Sequence, residues 1–367
     1  MSILKSNPTT LDMSELLDEW HTSIRNYEVD SSDSLNKSIE HSILSFSDTC
    51  HRDIILTYLI VKARYLLLKG NRKESIKVLQ EARAKMVDSD EYYLFYYHFI
   101  EGMQLKDIRE YHNALEQYKK ARVYESAVDD SFELADFQYK LATIYWQLDY
   151  CHSSLELLKQ VYEVYEEYSE IKLADCLLLM GLNNADLGLF NDAEEKYHSA
   201  LIYANEHNDI DLIGSLYLNL GLLYSQQGMS PEAITYLEKS VKEHPEHKEV
   251  IKSLYRLTKE LYICDKIEEA KEYLDSGTQL AARTNDTEYI HKFSILTESK
   301  VQSDNFETKL QLAADYFSST QKLDLLVECY EMLGNYHQKK NDLTKATEYF
   351  RLTIENFKAL NNRRVNI

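Results

Sequence analysis

The stretch that decides the fold is residues 217–245, which begins Tyr217-Leu-Asn-Leu220-Gly221-Leu-Leu-Tyr224 and ends at a proline. It places Leu-Gly on one helix, a tyrosine one turn later, a glycine at position 228 for a turn, and Ala233 on a second helix. Small side chains are needed at 221 and 233 because paired helices cross most closely there. This order of residues is typical of a tetratricopeptide hairpin.

The same pair of small residues recurs along the chain with a separation of twelve positions. The pairs are Gly102/Ala114, Ala142/Ser154, Gly181/Ala193, Gly221/Ala233, Thr258/Ala270 and Gly334/Ala346, with a weaker unit around Thr308. The pattern predicts an all-α fold with seven helical hairpins over roughly 90–360. Such hairpins stack into a right-handed superhelix whose first helices line a concave groove.

Residues 1–87 do not fit this repeat. Apolar residues at helical spacing predict four helices around 13–27, 34–46, 51–69 and 72–86, and Asp12-x-x-Glu15 is a candidate capping box for the first helix. We therefore divide the chain into an N-terminal helical bundle with a linker helix (1–87) and a tetratricopeptide-repeat domain (88–367).

Composition supports helices and narrows the function. Nine glycines and three prolines among 367 residues are few for a fold built on strands and tight turns. Residues 1–87 hold 12 basic and 12 acidic side chains, so the whole net charge of −20 falls on the repeats. A field of that sign repels phosphate backbones, which argues against direct nucleic-acid binding. The five scattered cysteines, the lack of a secretory signal and the lack of a membrane span predict a cytoplasmic protein.

Enzyme signatures are missing from the sequence. It contains no Gly-rich phosphate loop, no Gly-x-Ser-x-Gly and no His-Glu-x-x-His, so we predict neither a cofactor nor a metal. His51-Arg52-Asp53 matches a kinase catalytic tripeptide by chance, because the other kinase motifs are absent. We interpret His244-Pro-Glu-His247 as a solvated turn after a helix end and not as a metal site.

Three polar residues on the predicted first helices are candidates for ligand binding. Asn183 and Asp186 lie three apart on one helix and share a face, and Asn219 lies on the first helix of the next repeat. They could cap or bridge neighbouring helices. Alternatively, the amides could clamp an extended peptide backbone while the carboxylate receives a cationic group.

The sequence resembles the Rap proteins of Bacillus and relatives, which are cytosolic regulators controlled by short secreted peptides called Phr. The stretches that carry the resemblance are Leu16-Leu-Asp-Glu-Trp20, Tyr96-Tyr-His-Phe-Ile-Glu-Gly102-Met103, Ala135-Asp-Phe137 and Leu218-Asn219-Leu-Gly221-Leu-Leu-Tyr224. The resemblance implies that the bundle binds a response regulator and that a peptide in the groove releases it. Family members either hydrolyse the regulator's aspartyl phosphate or block its DNA-binding domain. It also implies peptide contacts at Asp186, Asn219 and Asn183.

The chain departs from the family at the start of the third helix. The family's Glu-Asp-Gln-Asp-Leu-Leu is replaced by Cys50-His51-Arg52-Asp53-Ile54-Ile55, so Arg52 stands at the position of the catalytic Gln. A guanidinium has only donors and cannot accept a proton from water, although His51 could substitute.

The resemblance places partner contacts at His51, Arg52, Asp53, Ile55 and Ala63, the last at the position of an aromatic docking residue. We therefore predict a regulator that sequesters its partner without catalysis and is switched off by a short cationic peptide. An active aspartyl-phosphate phosphatase and a generic tetratricopeptide adaptor are the alternatives. The acidity of the repeats speaks against the adaptor, which needs a basic clamp.

Overall fold

The computed structural model describes residues 9–44, 46, 51–88, 90–301 and 303–365, and it gives no side-chain detail for 301 and 360–365. Within these ranges the chain forms eighteen α-helices and one 3-10 helix, with no strand. The helices are α1 (Thr10–Arg25), α2 (Val29–Ile43), α3 (Arg52–Leu68), α4 (Arg72–Lys85), α5 (Glu91–Lys106), α6 (Tyr111–Arg122), α7 (Ser131–Gln147), α8 (Cys151–Tyr168), α9 (Glu170–Asp186), α10 (Phe190–Glu206), α11 (Ile210–Gln226), α12 (Ser230–Lys242), α13 (Val250–Ile263), α14 (Ile267–Thr284), α15 (Thr287–Val301), α16 (Phe306–Ser319), α17 (Leu323–Lys339) and α18 (Leu343–Val365).

The helices divide into two compact units, residues 1–168 and 169–367. The first unit contains α1–α4 and the hairpins α5–α6 and α7–α8. The second contains five hairpins, from α9–α10 to α17–α18. The predicted all-α fold, the four N-terminal helices and the seven hairpins after them are confirmed.

The first helix begins one turn earlier than its predicted cap. Thr9 is the N-cap, its hydroxyl accepts from the backbone N–H of Asp12 at 3.2 Å, and the Asp12 carboxylate accepts from the Thr9 N–H at 2.8 Å. The predicted Asp12–Glu15 box is therefore wrong. The Thr9 hydroxyl already satisfies the helix end, which places Asp12 inside the first turn.

Each hairpin closes around its small residue in a specific way. A side chain at Gly181 would overlap the ring of Tyr197, which is four residues beyond Ala193 on the second helix. Gly102 has the same relation to Tyr118. In the second hairpin Ser154 takes the alanine position, and its hydroxyl donates to the Ala142 carbonyl at 2.9 Å. The glycine thus makes room for a buried ring more than for the alanine itself.

His247 contradicts its interpretation as part of a solvated turn. It is only 1% exposed, and its ring lies where Gly214 has no side chain. The ring nitrogen Nε2 is 3.2 Å from the Ser240 hydroxyl, and Nδ1 accepts from the Glu249 N–H at 3.2 Å. His247 therefore fixes the connection between α12 and α13. None of the helices in the described part of the chain is long and apolar enough to cross a bilayer.

Candidate functional site

Asp186 and Asn219 lie on two neighbouring first helices, α9 and α11, which contact each other. Gly181 and Gly221 mark the sides of these helices that face α10 and α12. At 3.6 residues per turn, Asp186 points about 140° and Asn219 about 160° away from those sides. Both side chains therefore belong to the surface opposite the second helices. We call this surface of α9, α11 and α13 the groove face.

Both residues present polar atoms at that surface. Asp186 is exposed and Asn219 is partly buried. The Asn219 amide donates to the Ser215 carbonyl one turn back, at 2.9 Å. This bond uses one of its two N–H groups, so the amide still offers a donor and an acceptor to a ligand.

Asn183 does not present its amide there. It is 0% exposed, and its Nδ2 donates to the Leu179 carbonyl at 2.7 Å. In this conformation the expected direct contact between Asn183 and a peptide is wrong, because packing covers the side chain. Its role is internal to the repeat.

The groove face carries both signs of charge. Arg256 on α13 has the same position relative to Thr258 as Asn219 has relative to Gly221, and it is exposed. Lys252, one turn earlier on α13, is also exposed. A carboxylate on α9 and a guanidinium on α13 therefore flank the amide on α11. This arrangement suits a ligand with one cationic and one anionic group, more than a purely cationic one.

The Arg52 guanidinium is engaged in contacts within the protein. Its guanidinium donates to the Lys85 carbonyl at 3.0 and 3.2 Å and forms an ion pair with Asp90. The hydrogen bond from Arg52 lowers the pKa of the Asp90 carboxyl. Arg52 thus braces the start of α3 against the connection between α4 and α5, which is a structural use of the position to which the family resemblance assigns a catalytic Gln.

The other expected partner residues differ in accessibility. The Asp53 side chain is 82% exposed, while His51 and Ile55 are half-buried. The His51 ring packs edge-on against Phe46 with 5.0 Å between ring centroids. Ala63 is fully buried, so its expected contact with a partner is wrong for this conformation. Cys50 lies outside the described residues.

A buried charge cluster joins the N-terminal helices to α7. The Arg64 guanidinium of α3 forms ion pairs with Glu133 and Asp136, and its Nη1 lies 2.8 Å from Nε2 of His21 on α1. Burial lowers the pKa of His21 to about 4, so its ring is neutral at pH 7 and accepts from Arg64.

At the edge of this buried charge cluster, the Arg25 guanidinium of α1 forms an ion pair with the Asp130 carboxylate at 2.7 Å. Sequence reasoning missed this cluster, although an arginine within the apolar stretch 59–68 was a signal.

The arrangement is one of binding surfaces. The described part of the chain has no group of three or more His, Cys, Asp or Glu side chains placed to hold a metal ion. The groove face and the exposed start of α3 are the two surfaces where predicted site residues remain accessible.

A family model described as a tetratricopeptide repeat matches residues 214–247. The chain is 26% identical over 363 residues to response regulator aspartate phosphatase I of Bacillus subtilis (strain 168), covering 92% of this chain and 89% of that protein. It is also 26% identical over 364 residues to regulatory protein RapF of the same organism, covering 94% of each.

Two solved structures share the fold. The apo form of the quorum sensor NprR from B. thuringiensis superposes with a TM-score of 0.81 at 18% identity, over 95% of this chain and 99% of that one. A Rap protein complexed with Competence and Sporulation Factor superposes with a TM-score of 0.73 at 21% identity, over 97% and 100%. Sequence relatedness along nearly the whole length confirms the predicted resemblance to the Rap family, and the solved structures show that the chain shares their fold.

Proposed function

We propose that this protein is a peptide-regulated Rap-type regulator that binds a response regulator and releases it when a short peptide occupies the groove face. The observation that carries the proposal is the placement of Asp186 and Asn219 on one accessible surface of α9 and α11. One relative is named a response regulator aspartate phosphatase, and one similar structure is a Rap protein bound to a signalling factor. These names support both partners of the proposal.

The bundle of residues 1–87 is the proposed partner-binding part, and residues 88–367 are the proposed peptide-binding part. Asp53 at the start of α3 is the accessible charged residue of the proposed partner surface. His51 and Ile55 flank it with partly exposed ring and aliphatic atoms. Such a polar rim around apolar groups is common in protein interfaces.

Binding without catalysis is the favoured mode. Arg52 donates its hydrogen bonds to Lys85 and Asp90, and it offers no acceptor that could orient a water molecule. His51 is the remaining candidate for that role. Measuring phosphate release with a His51→Ala variant distinguishes sequestration of the partner from phosphatase activity.

The ligand we propose is a short peptide with a basic side chain and a free carboxyl terminus. The basic group pairs with Asp186, the Asn219 amide bonds the backbone, and the carboxylate pairs with Arg256. This refines the expectation of a cationic ligand, because the groove face itself carries both signs.

The test uses a panel of purified response regulators phosphorylated with acetyl phosphate. We expect at least one to bind the full chain without faster phosphate release. Asp53→Lys should abolish that binding, whereas Glu74→Lys on α4, which also reverses an exposed carboxylate, should leave it unchanged. Accelerated phosphate release that is lost in His51→Ala would establish the phosphatase instead. Binding to no regulator in the panel would overturn the proposal.

A further inference from the structure

A cavity of about 180 Å³ lies within the first unit, between α1, α3, α5 and α7. One wall is apolar and includes Ile24, Leu67 and Met103. At roughly 30 Å³ per water molecule the volume corresponds to about six waters, so it suits a small aliphatic molecule.

Lys106 differs from the other cations that line this cavity. Arg25 and Arg64 form ion pairs with carboxylates of the α7 segment. The Lys140 ammonium donates to the Tyr27 hydroxyl at 2.7 Å. Lys106 is half-buried, and among the described residues its side chain has neither a hydrogen-bond partner nor an ion-pair partner. Its amine is therefore available to a molecule that enters the cavity.

The surroundings of Lys106 favour the neutral form of its amine. Burial, and after it the positive charge of Lys140, lowers the pKa of Lys106, and the charges of Asp107 and Asp136 oppose this shift only in part. Only the unprotonated amine is a nucleophile, so a lysine that is desolvated beside another cation reacts more readily at neutral pH. The apolar wall of the same cavity can hold the carbon chain of an electrophile while the amine attacks it.

We propose that Lys106 is a covalent acceptor for small aliphatic aldehydes, which it takes up reversibly as an imine within this cavity. The neutral Nζ attacks the carbonyl carbon and forms the new C–N bond. The amine gives up its two hydrogens as protons, and the carbonyl oxygen leaves with them as water, so the step needs neither an oxidant nor a reductant. The alkyl chain lies against Ile24, Leu67 and Met103, where each buried methylene stabilises the adduct.

The experiment treats the full chain with butanal at pH 7 and traps imines with sodium cyanoborohydride, which reduces them to butylamines. Peptide mapping by mass spectrometry then measures the adduct at each lysine. We expect at least about tenfold more adduct at Lys106 than at Lys119, which is exposed on α6 and pairs with Glu116. Labelling of Lys106 should also level off at a lower pH than labelling of N-acetyl-lysine in solution, because its pKa is lowered.

A comparison of sizes separates uptake in the cavity from reactivity at the surface. The bulky, rigid pyrenecarboxaldehyde should show no preference for Lys106 over Lys119. Butanal should lose its preference on Leu67→Phe, which keeps every charge and fills part of the cavity, while circular dichroism confirms that this variant remains helical. Equal butanal adduct at Lys106 and Lys119, or an undiminished preference with pyrenecarboxaldehyde, would overturn the proposal.

Discussion

The guanidinium of Arg64 on α3 lies 2.6 Å from the carboxylate of Asp136 on α7, and the two side chains are only 4% and 2% exposed. The pair connects residues 72 positions apart in the sequence. It belongs to the part of the structure where the N-terminal helices meet the first repeats. Removing one partner of a buried ion pair is strongly destabilising, because the other charge is left buried without compensation.

Replacing Arg64 with Met should therefore destabilise the first unit. Glu133 and Asp136 would each lose an ion-pair partner inside the protein, and we expect the free energy of unfolding to fall by about 3–5 kcal/mol. Urea unfolding followed by circular dichroism measures this loss. Lys77→Met, which breaks the exposed pair with Glu74, should change the same quantity by less than about 1 kcal/mol. Equal losses in the two variants would contradict the assignment.

Asp186→Asn should weaken binding of a basic peptide to the groove face. Once the ligand excludes water, the lost pairing corresponds to about 2 kcal/mol, or roughly 30-fold in Kd. Calorimetry with synthetic hexapeptides that contain one arginine measures the effect. The wild-type affinity should also fall with salt, because an exposed carboxylate is screened. Glu355→Gln on α18 is the matched control, and an effect there as large as at Asp186 would refute the site.

Arg256→Met should discriminate between two forms of the same peptide. If the guanidinium receives the terminal carboxylate, the variant loses affinity for the free acid by about tenfold and leaves the terminal amide nearly unaffected. Competition between the two forms on wild type and variant measures this difference. The same loss for acid and amide would show that Arg256 contacts another part of the peptide.

Arg52→Gln should reveal the pH dependence of its ion pair. The hydrogen bond from Arg52 lowers the pKa of the Asp90 carboxyl below its ordinary value of 3.8. The carboxylate is charged in both states above that value, so the pair's stabilisation is fully present there. It is lost as the pH falls through the lowered pKa of the folded state. The difference in Tm between wild type and Arg52→Gln should be constant from pH 8 to about 5 and shrink below about 4. A difference independent of pH down to 3 would contradict this role.

The repeats could be predicted from the sequence because their signal is local. A pair such as Gly181 and Ala193 is twelve residues apart and belongs to one hairpin. Each repeat can therefore be recognised from its own residues alone. The partner that fills the space, Tyr197, was not identified. Helical spacing predicts which way a side chain points, but it does not predict the size of the side chain that packs against it from the neighbouring helix.

The candidate site was predicted in part for the same reason. Spacing placed Asp186 and Asn219 on first helices, and both have accessible atoms. Spacing could not show that Asn183 and Ala63 are covered, since burial depends on neighbouring elements. The position of Arg64 in an apolar stretch was a signal of a buried charge, but its partners could not be identified, because residues 69 and 72 positions apart meet only after the hairpins have stacked.

The bond from the Asn219 amide to the Ser215 carbonyl has a consequence for recognition. The hydrogen bond favours one rotamer of Asn219 before any ligand arrives, so less side-chain entropy is lost on association. The affinity should then depend on how well a peptide backbone matches the direction of the Asn219 side-chain amide. Ligands with a flexible or displaced backbone amide should dissociate faster.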